Sequence, residues 1–230
     1  AKRGEDVFIV GCWRNRQDWQ FYGAKGMKDL SDLKGKKIGT RDFGGISHRV
    51  LSFHLKRAGL DPEKDVVFVR GARFHPHERP EEALRSGEVD CINVLAIDNR
   101  GLDQEGYPLL LESRKVYGGG RPDRVIIATK RMVEQDADLL IAYLRATIRA
   151  YWFMMDYGRS RPYLEALVRR LRMACLDEEE ANRSGLEGGA RLSLPFDGAP
   201  SGLGLEQMLA ECQEMGELER SFDLKPILRL

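Results

Sequence analysis

The sequence predicts an α/β fold with a mostly parallel sheet, and three observations carry that expectation. Between Lys37 and Val94, short β-rich runs alternate with amphipathic helical stretches, the β-α-β-α-β rhythm that requires crossover connections. Glycines at Gly59 and Gly87 stand where each of these helices must stop. A flexible break, Gly118-Gly119-Gly120-Arg121-Pro122, then precedes a Val-Ile-Ile-Ala strand and a mainly helical C-terminal part.

Each element has its own local reason. Val7 to Val10 is an apolar, β-rich run that reaches Gly11, so a strand followed by a loop is expected. Lys37 to Thr40 is a second strand. Ser47 to Ala58 carries Val50, Leu51, Phe53, His54 and Leu55 on a helix. Asp65 to Arg70 and Val89 to Val94 are further strands, separated by a short helix from Arg79 to Ser86. Leu109 to Leu111 and Arg124 to Thr129 complete the predicted strands. The longest helix spans Ala137 to Tyr157, with a stripe of Leu140, Tyr143, Leu144, Thr147, Ala150, Tyr151 and Met154. Helices are also expected at Pro162 to Arg172, Glu178 to Ser184 and Leu205 to Gly216.

Composition bounds the function. At 230 residues the chain can bury a substantial core, as one domain or as two lobes of roughly 100 residues each. With 37 basic and 36 acidic residues the net charge is +1, which gives no global field for nucleic acid or an anionic membrane. The most apolar stretch, Leu139 to Met155, is interrupted by Arg145 and Arg149, so no membrane insertion is expected. The four cysteines, Cys12, Cys91, Cys175 and Cys212, show no C-x-x-C spacing; Cys12 and Cys91, each following a predicted strand, read as buried free thiols, and a disulfide stays open because spacing alone cannot assign one. The chain begins with Ala and shows no signal peptide, so a processed or trimmed product is expected.

Ligands in α/β folds bind outside the carboxyl ends of strands, so the loops there supply the candidates. After Lys37 to Thr40 come Thr40, Arg41, Asp42, Phe43, Gly44, Gly45 and Ser47. The glycines let backbone approach a ligand, Ser47 can cap the helix or donate to the ligand, and Arg41 suits a carboxylate or sulfonate. The plain alternative is a strand-to-helix turn with a capping Ser and a solvated Arg. Gly11-Cys12-Trp13-Arg14-Asn15-Arg16 follows the first strand; Trp13 offers a stacking wall, Arg14 and Asn15 polar contacts. Asn93 sits at another strand end, whereas Asp90 reads as a turn or capping residue. His75 and His77, flanking Pro76, form an exposed basic loop rather than a metal site. Asp177-Glu178-Glu179-Glu180 reads as a solvated helix start. No nucleophile elbow, phosphate loop or zinc motif is present, and no cofactor or metal is expected.

Four separated pieces together resemble the NMT1/THI5-like substrate-binding proteins of sulfonate, taurine, nitrate and thiamine-precursor uptake. They are Lys28-Asp29-Leu30-Ser31-Asp32-Leu33-Lys34-Gly35-Lys36-Lys37-Ile38-Gly39, Ala58-Gly59-Leu60-Asp61-Pro62-Glu63-Lys64-Asp65-Val66, Ala83-Leu84-Arg85-Ser86-Gly87-Glu88-Val89-Asp90, and Val125-Ile126-Ile127-Ala128-Thr129-Lys130. The likeness covers about residues 5 to 160. It implies a type II periplasmic-binding-protein-like fold of two α/β lobes, with residues 1–35 and 118–230 in lobe one and 36–117 in lobe two. It further implies an interlobe cleft reached by Trp13, Arg14, Asn15, Thr40, Arg41, Phe43, Gly44, Gly45, Ser47 and Asn93. The ligand would be a small organic anion or heterocycle, the partner an ABC transporter permease, and the location periplasmic or extracytoplasmic. Such proteins carry an N-terminal β-α-β-α segment ahead of the first strand seen here; either that segment was lost or lies outside this sequence, or this is a variant with an incomplete lobe one. Two other roles occur on this fold. One is an enzyme, of decarboxylase or thiamine-pyrimidine synthase type, which would place the protein in the cytoplasm; the other is a ligand-sensing domain. The cysteine-rich motif and histidine clusters of the synthases are not found in this sequence.

Overall fold

The computed structural model describes residues 6–15, 19–74, 79–95, 101–117, 120–156 and 197–228. It forms two compact units, residues 1–17 with 117–230, and residues 18–116. The expected helices at 162–172 and 178–184, the 75–77 histidine loop, Gly118, Gly119, Cys175 and the 177–180 carboxylate run lie outside the described residues.

The first unit is built on an antiparallel pair, β1 (Val7–Arg14) and β7 (Arg124–Thr129). Here β1 runs four residues past the expected stop. Gly11 does not end the strand; it sits at a register shift between Ile9 and Gly11, and the chain passes close beside it. A Cβ on Gly11 would lie 3.3 Å from the Gly198 carbonyl, and the Cys12 N–H donates to that same oxygen at 2.7 Å. The glycine therefore serves close backbone approach within a bulged strand. Two helices follow β7, α4 (Lys130–Gln135) and α5 (Ala137–Met155). Thr129 caps α4 by accepting from the Met132 N–H at 3.3 Å. Val10, Ala128 and Leu140 form a small core with Phe8, Ile126 and Leu144 against it.

One further helix, α6 (Gly202–Glu214), is capped by Ser201, whose Oγ accepts from the Gly204 N–H at 3.1 Å. A buried ion pair fixes it. Arg121 donates from Nε and Nη2 to Oε2 of Glu211 at 3.2 and 2.7 Å, with its guanidinium 5.1 Å from the Tyr117 ring.

The second unit holds a five-stranded sheet in the order β4-β3-β5-β2-β6. Its strands are β2 (Trp19–Gly23), β3 (Lys37–Thr40), β4 (Val67–Arg70), β5 (Cys91–Leu95) and β6 (Leu109–Glu112). Its helices are α1 (Ile46–Arg57), α2 (Pro80–Arg85) and the single turn α3 (Ser113–Val116). The expected parallel set is present, since β3 runs parallel to both β4 and β5. The sheet as a whole is mixed, because β2 pairs antiparallel with both β5 and β6.

Residues 19–23 carry no alternating pattern to announce a strand. In a central strand both faces are buried, and Gln20, Phe21 and Tyr22 are 9, 1 and 0% exposed. Because β2 fills the slot between β5 and β6, residues 18–35 fold with the second unit, and the division falls after Gln17 rather than after Gly35.

The two faces of this sheet differ. Tyr22, Ile92 and Val94 share one face and pack with Phe74, Ala83, Leu84, Val89 and Leu102 into the main core. Burying each large apolar side chain in such a cluster stabilises the fold by roughly 1.5–3 kcal/mol. The pleat sends Phe21, Cys91 and Asn93 to the opposite face, and the parallel register Ile38↔Cys91 adds Ile38 and Thr40 to it. The helix α1 lies over this face, where the His48 ring sits tilted against Phe68 with ring centroids 4.5 Å apart.

Candidate functional site

The carboxyl end of β3 opens directly into the start of α1. Gly44 takes the left-handed conformation, with φ of 74°, which only glycine adopts at little cost. Gly45 is the N-cap residue, extended at φ −65° and ψ 166°, and no side chain caps the helix. This corrects the expectation for Ser47, which lies one residue inside α1 and does not cap it. The first backbone N–H groups of a helix have no partner within it, and the helix dipole adds partial positive charge there. An uncapped helix start beside two glycines is therefore an anion-compatible surface.

Side chains surround this helix start. Thr40 is 2% exposed, and its hydroxyl reaches the Asp42 carbonyl at 3.4 Å. Asn93 is 5% exposed. Continuing the Ile38↔Cys91 register by two residues sets Asn93 level with Thr40 on the face that α1 covers. Among the described residues, no hydrogen bond is formed by the Asn93 side chain. Phe43 is 55% exposed, edge-on to His48 at 5.6 Å.

Arg41 is also exposed and lies 3.0 Å from Asp42 through Nε. Arg70, at the end of β4 and paired in register with Thr40, reaches the other oxygen of Asp42 at 3.7 Å. Two guanidiniums share one carboxylate, so the rim carries a net positive charge. Thr40, Arg41, Phe43, Gly44, Gly45, Ser47 and Asn93 thus fall at one end of one sheet. Asp90 is no ligand group here: its Oδ2 accepts from the Lys37 N–H at 2.9 Å and its N–H donates to the Lys37 carbonyl at 2.7 Å, tying the start of β3 to the chain entering β5.

Trp13, Arg14 and Asn15 belong to the other unit, and their side chains are committed there. The Asn15 amide donates to the Ala199 carbonyl at 2.7 Å, while its oxygen accepts from the Ser201 N–H at 2.8 Å and from the Cys12 thiol at 3.3 Å. Arg14 pairs with Asp123 at 3.6 Å, and the Asp123 N–H donates to the Arg14 carbonyl at 2.7 Å. Trp13 packs edge-on to Tyr151 at 6.5 Å and keeps 47% of its surface exposed. Trp13 and Arg14 belong to β1 itself rather than to a loop after it.

Sequence reasoning placed Asp42 in this loop without giving it a role, and missed Arg70 and His48 as members of the β3 end. Arg70 was within reach of the same rule that found Arg41, because it ends the neighbouring parallel strand. The other two act through contacts that depend on how the loop folds.

Cys12 and Cys91 are not nucleophiles in waiting. Burial pushes the Cys12 thiol up to about 11 and the Cys91 thiol higher still, so both remain protonated at neutral pH. Among the described residues no group of three or more His, Cys, Asp or Glu side chains is placed to hold a metal ion.

The mixed α/β sheet with helices over its faces has the periplasmic-binding-protein-like fold. Solved structures bear this out. The aliphatic sulphonate binding protein SsuA from Escherichia coli aligns over 98% of this chain and 74% of its own, at 17% identity and a TM-score of 0.64. The alkanesulfonate-binding protein SsuA from Xanthomonas axonopodis pv. citri, bound to MOPS, aligns over 99% and 75%, at 16% identity and a TM-score of 0.63. The desulfurization enzyme DSZB shares the fold at 13% identity and a TM-score of 0.61, over 96% of this chain and 76% of its own. The chain spans 66 to 75% of the sulfonate-binding chains it matches. No curated protein sequence matches it. Residues 1–159 match the family described as NMT1/THI5 like, and the chain belongs to that family.

Proposed function

We propose that this protein is a solute-binding protein that takes a small organic anion at the β3–α1 loop and delivers it to an ABC transporter permease. The observation that carries this reading is the uncapped start of α1 beside Asn93, a residue 5% exposed whose side-chain amide is not fully buried and has no hydrogen-bond partner among the described residues. A ligand oxygen or nitrogen would take the place of water at that amide, and such a hydrogen bond contributes roughly 0.5–1.5 kcal/mol. Arg41 and Arg70, sharing Asp42, add the positive charge that favours an anionic head group. Phe43 offers exposed apolar surface to the rest of the ligand. A MOPS-bound relative of the same fold makes a sulfonate the first ligand class to try. Among the described residues no helix is long and apolar enough to cross a membrane, which suits a protein working beside its permease rather than within it.

The test is direct. Native mass spectrometry of the purified chain would identify a co-purified ligand. Calorimetric titration with methanesulfonate, taurine, nitrate and benzoate would rank the anions. Binding of at least one, lost on adding 0.5 M of a competing anion, supports the reading. No binding by any of them, or turnover of one, overturns it.

A further inference from the structure

The β3–α1 loop is held by a histidine ring. His48 lies in the first turn of α1, edge-on to Phe43 at 5.6 Å and tilted against Phe68 at 4.5 Å. Its Nδ1 accepts the Gly44 N–H at 3.3 Å. A ring nitrogen accepts only while it carries a lone pair, so this contact exists for the neutral imidazole with its proton on Nε2. One of the two glycines that make the loop is thereby bound to the helix it precedes, with an amide turned to protein rather than to solvent.

We propose that His48 positions the β3–α1 loop by holding the Gly44 amide, and that protonation of the ring releases that amide to an anion at the start of α1. The second half rests on the reading of this loop as the anion site. Protonated Nδ1 would face the Gly44 N–H donor to donor, and the contact breaks. The new cation stands at the positive end of α1, where it opposes the helix dipole unless an anion is present. Proton and anion therefore favour each other, and by linkage each raises the affinity for the other.

The charged groups on the elements packed around the ring are Arg41 and Asp42 on the loop, Arg70 at the end of β4, and Arg49, the next residue of α1. Burial of the ring lowers its proton affinity below that of free histidine. The release thus falls on the acid side of about pH 6.5.

The experiment is ¹H–¹⁵N and ring-proton NMR of the intact protein between pH 5 and 7.5, without ligand. The Gly44 amide and the His48 ring are expected to titrate with one midpoint, below that of free histidine. In His48→Gln, whose side-chain oxygen can accept but does not titrate, Gly44 is expected to stay flat across this range. A Gly44 amide that is flat in the wild type, or that titrates alike in both proteins, overturns the latch. Methanesulfonate added at pH 5.5 and 7.5 tests the rest separately. Binding roughly fivefold or more tighter at pH 5.5 in the wild type, with no such gain in His48→Gln, supports the coupling. Equal affinity at both pH values overturns the coupling. No shift of the Ile46 and Ser47 amides at either pH overturns the anion site itself, while a Gly44 titration would still establish the latch.

Discussion

The ends of β1 and β3 look alike in sequence and differ in the folded protein. Each carries an arginine followed by a small polar residue, Arg14-Asn15 at the last residue of β1 and Arg41-Asp42 just past β3. At the end of β1 the polar atoms are engaged from within. Asn15 binds Ala199 and Ser201, residues more than 180 positions away in sequence, and Arg14 meets Asp123, which is nearly buried. At the end of β3 the donors remain open: Arg41 is exposed, α1 is uncapped, and Asn93 has no side-chain partner among the described residues. Strand ends of the same composition become structural or available according to what the distant chain brings to them.

The sharpest way to break this contrast is to unpair the first unit. Arg121→Met leaves Glu211 buried without its cation, at a cost of roughly 3–5 kcal/mol. Urea unfolding followed by circular dichroism would show the midpoint fall. A loss under 1 kcal/mol would mean that Glu211 finds water or protonates, and that α6 is not anchored by this pair.

Asn15→Ala comes next. It removes two hydrogen bonds to backbone and one from the Cys12 thiol, at roughly 1–3 kcal/mol. Its distinguishing outcome is binding: stability falls while methanesulfonate affinity stays within about twofold. A large loss of affinity with little loss of stability would restore Asn15 as a ligand group.

The fate of Asn15 also marks where sequence reading stops. Strands with a strong local signature were legible: β3, β7 and the helix α5 lie within two residues of their expected limits, because alternation, capping and glycine stops are encoded locally. The strand β2 was not, since a strand buried on both faces loses the alternation that identifies it. The extension of β1 through Gly11 was hidden because a glycine that admits a crossing backbone looks like a glycine that ends a strand. At the candidate site, the rule that ligands meet carboxyl ends of strands pointed to the β3 loop and to Asn93, which lies in the middle of β5 rather than at a strand end. It could not tell that Asn15 is consumed by residues 199–201, nor that Gly44 is bound to His48. Those facts depend on long-range contacts and on one loop conformation.

Asn93→Ala tests the open end. Removing a side chain with no protein partner should change stability by no more than about 1 kcal/mol. Loss of one ligand hydrogen bond should weaken anion binding about tenfold. The reverse pattern, with stability lost and affinity kept, would make Asn93 a structural residue like Asn15 and dissolve the comparison. Arg41→Ala is milder still, since an exposed ion pair contributes about 0–1 kcal/mol. Its expected effect is a few-fold loss of affinity that vanishes in 0.5 M salt.

The smallest expected effect is the pH dependence that His48 imparts to stability. Burial lowers the proton affinity of the ring in the folded protein relative to the unfolded chain. Just below about pH 6.5 the unfolded state therefore binds more protons than the folded state, and stability falls with falling pH. The contribution is fully present above that pH and is lost as pH drops through the folded value. His48→Gln has no such titration. The difference in urea midpoint between wild type and His48→Gln should accordingly move in favour of the variant between pH 7.5 and 5, while the carboxylates, common to both proteins, cancel. An unchanged difference would mean that the ring is as free to take a proton in the folded loop as in the unfolded chain, which a ring held between Phe43 and Phe68 is not.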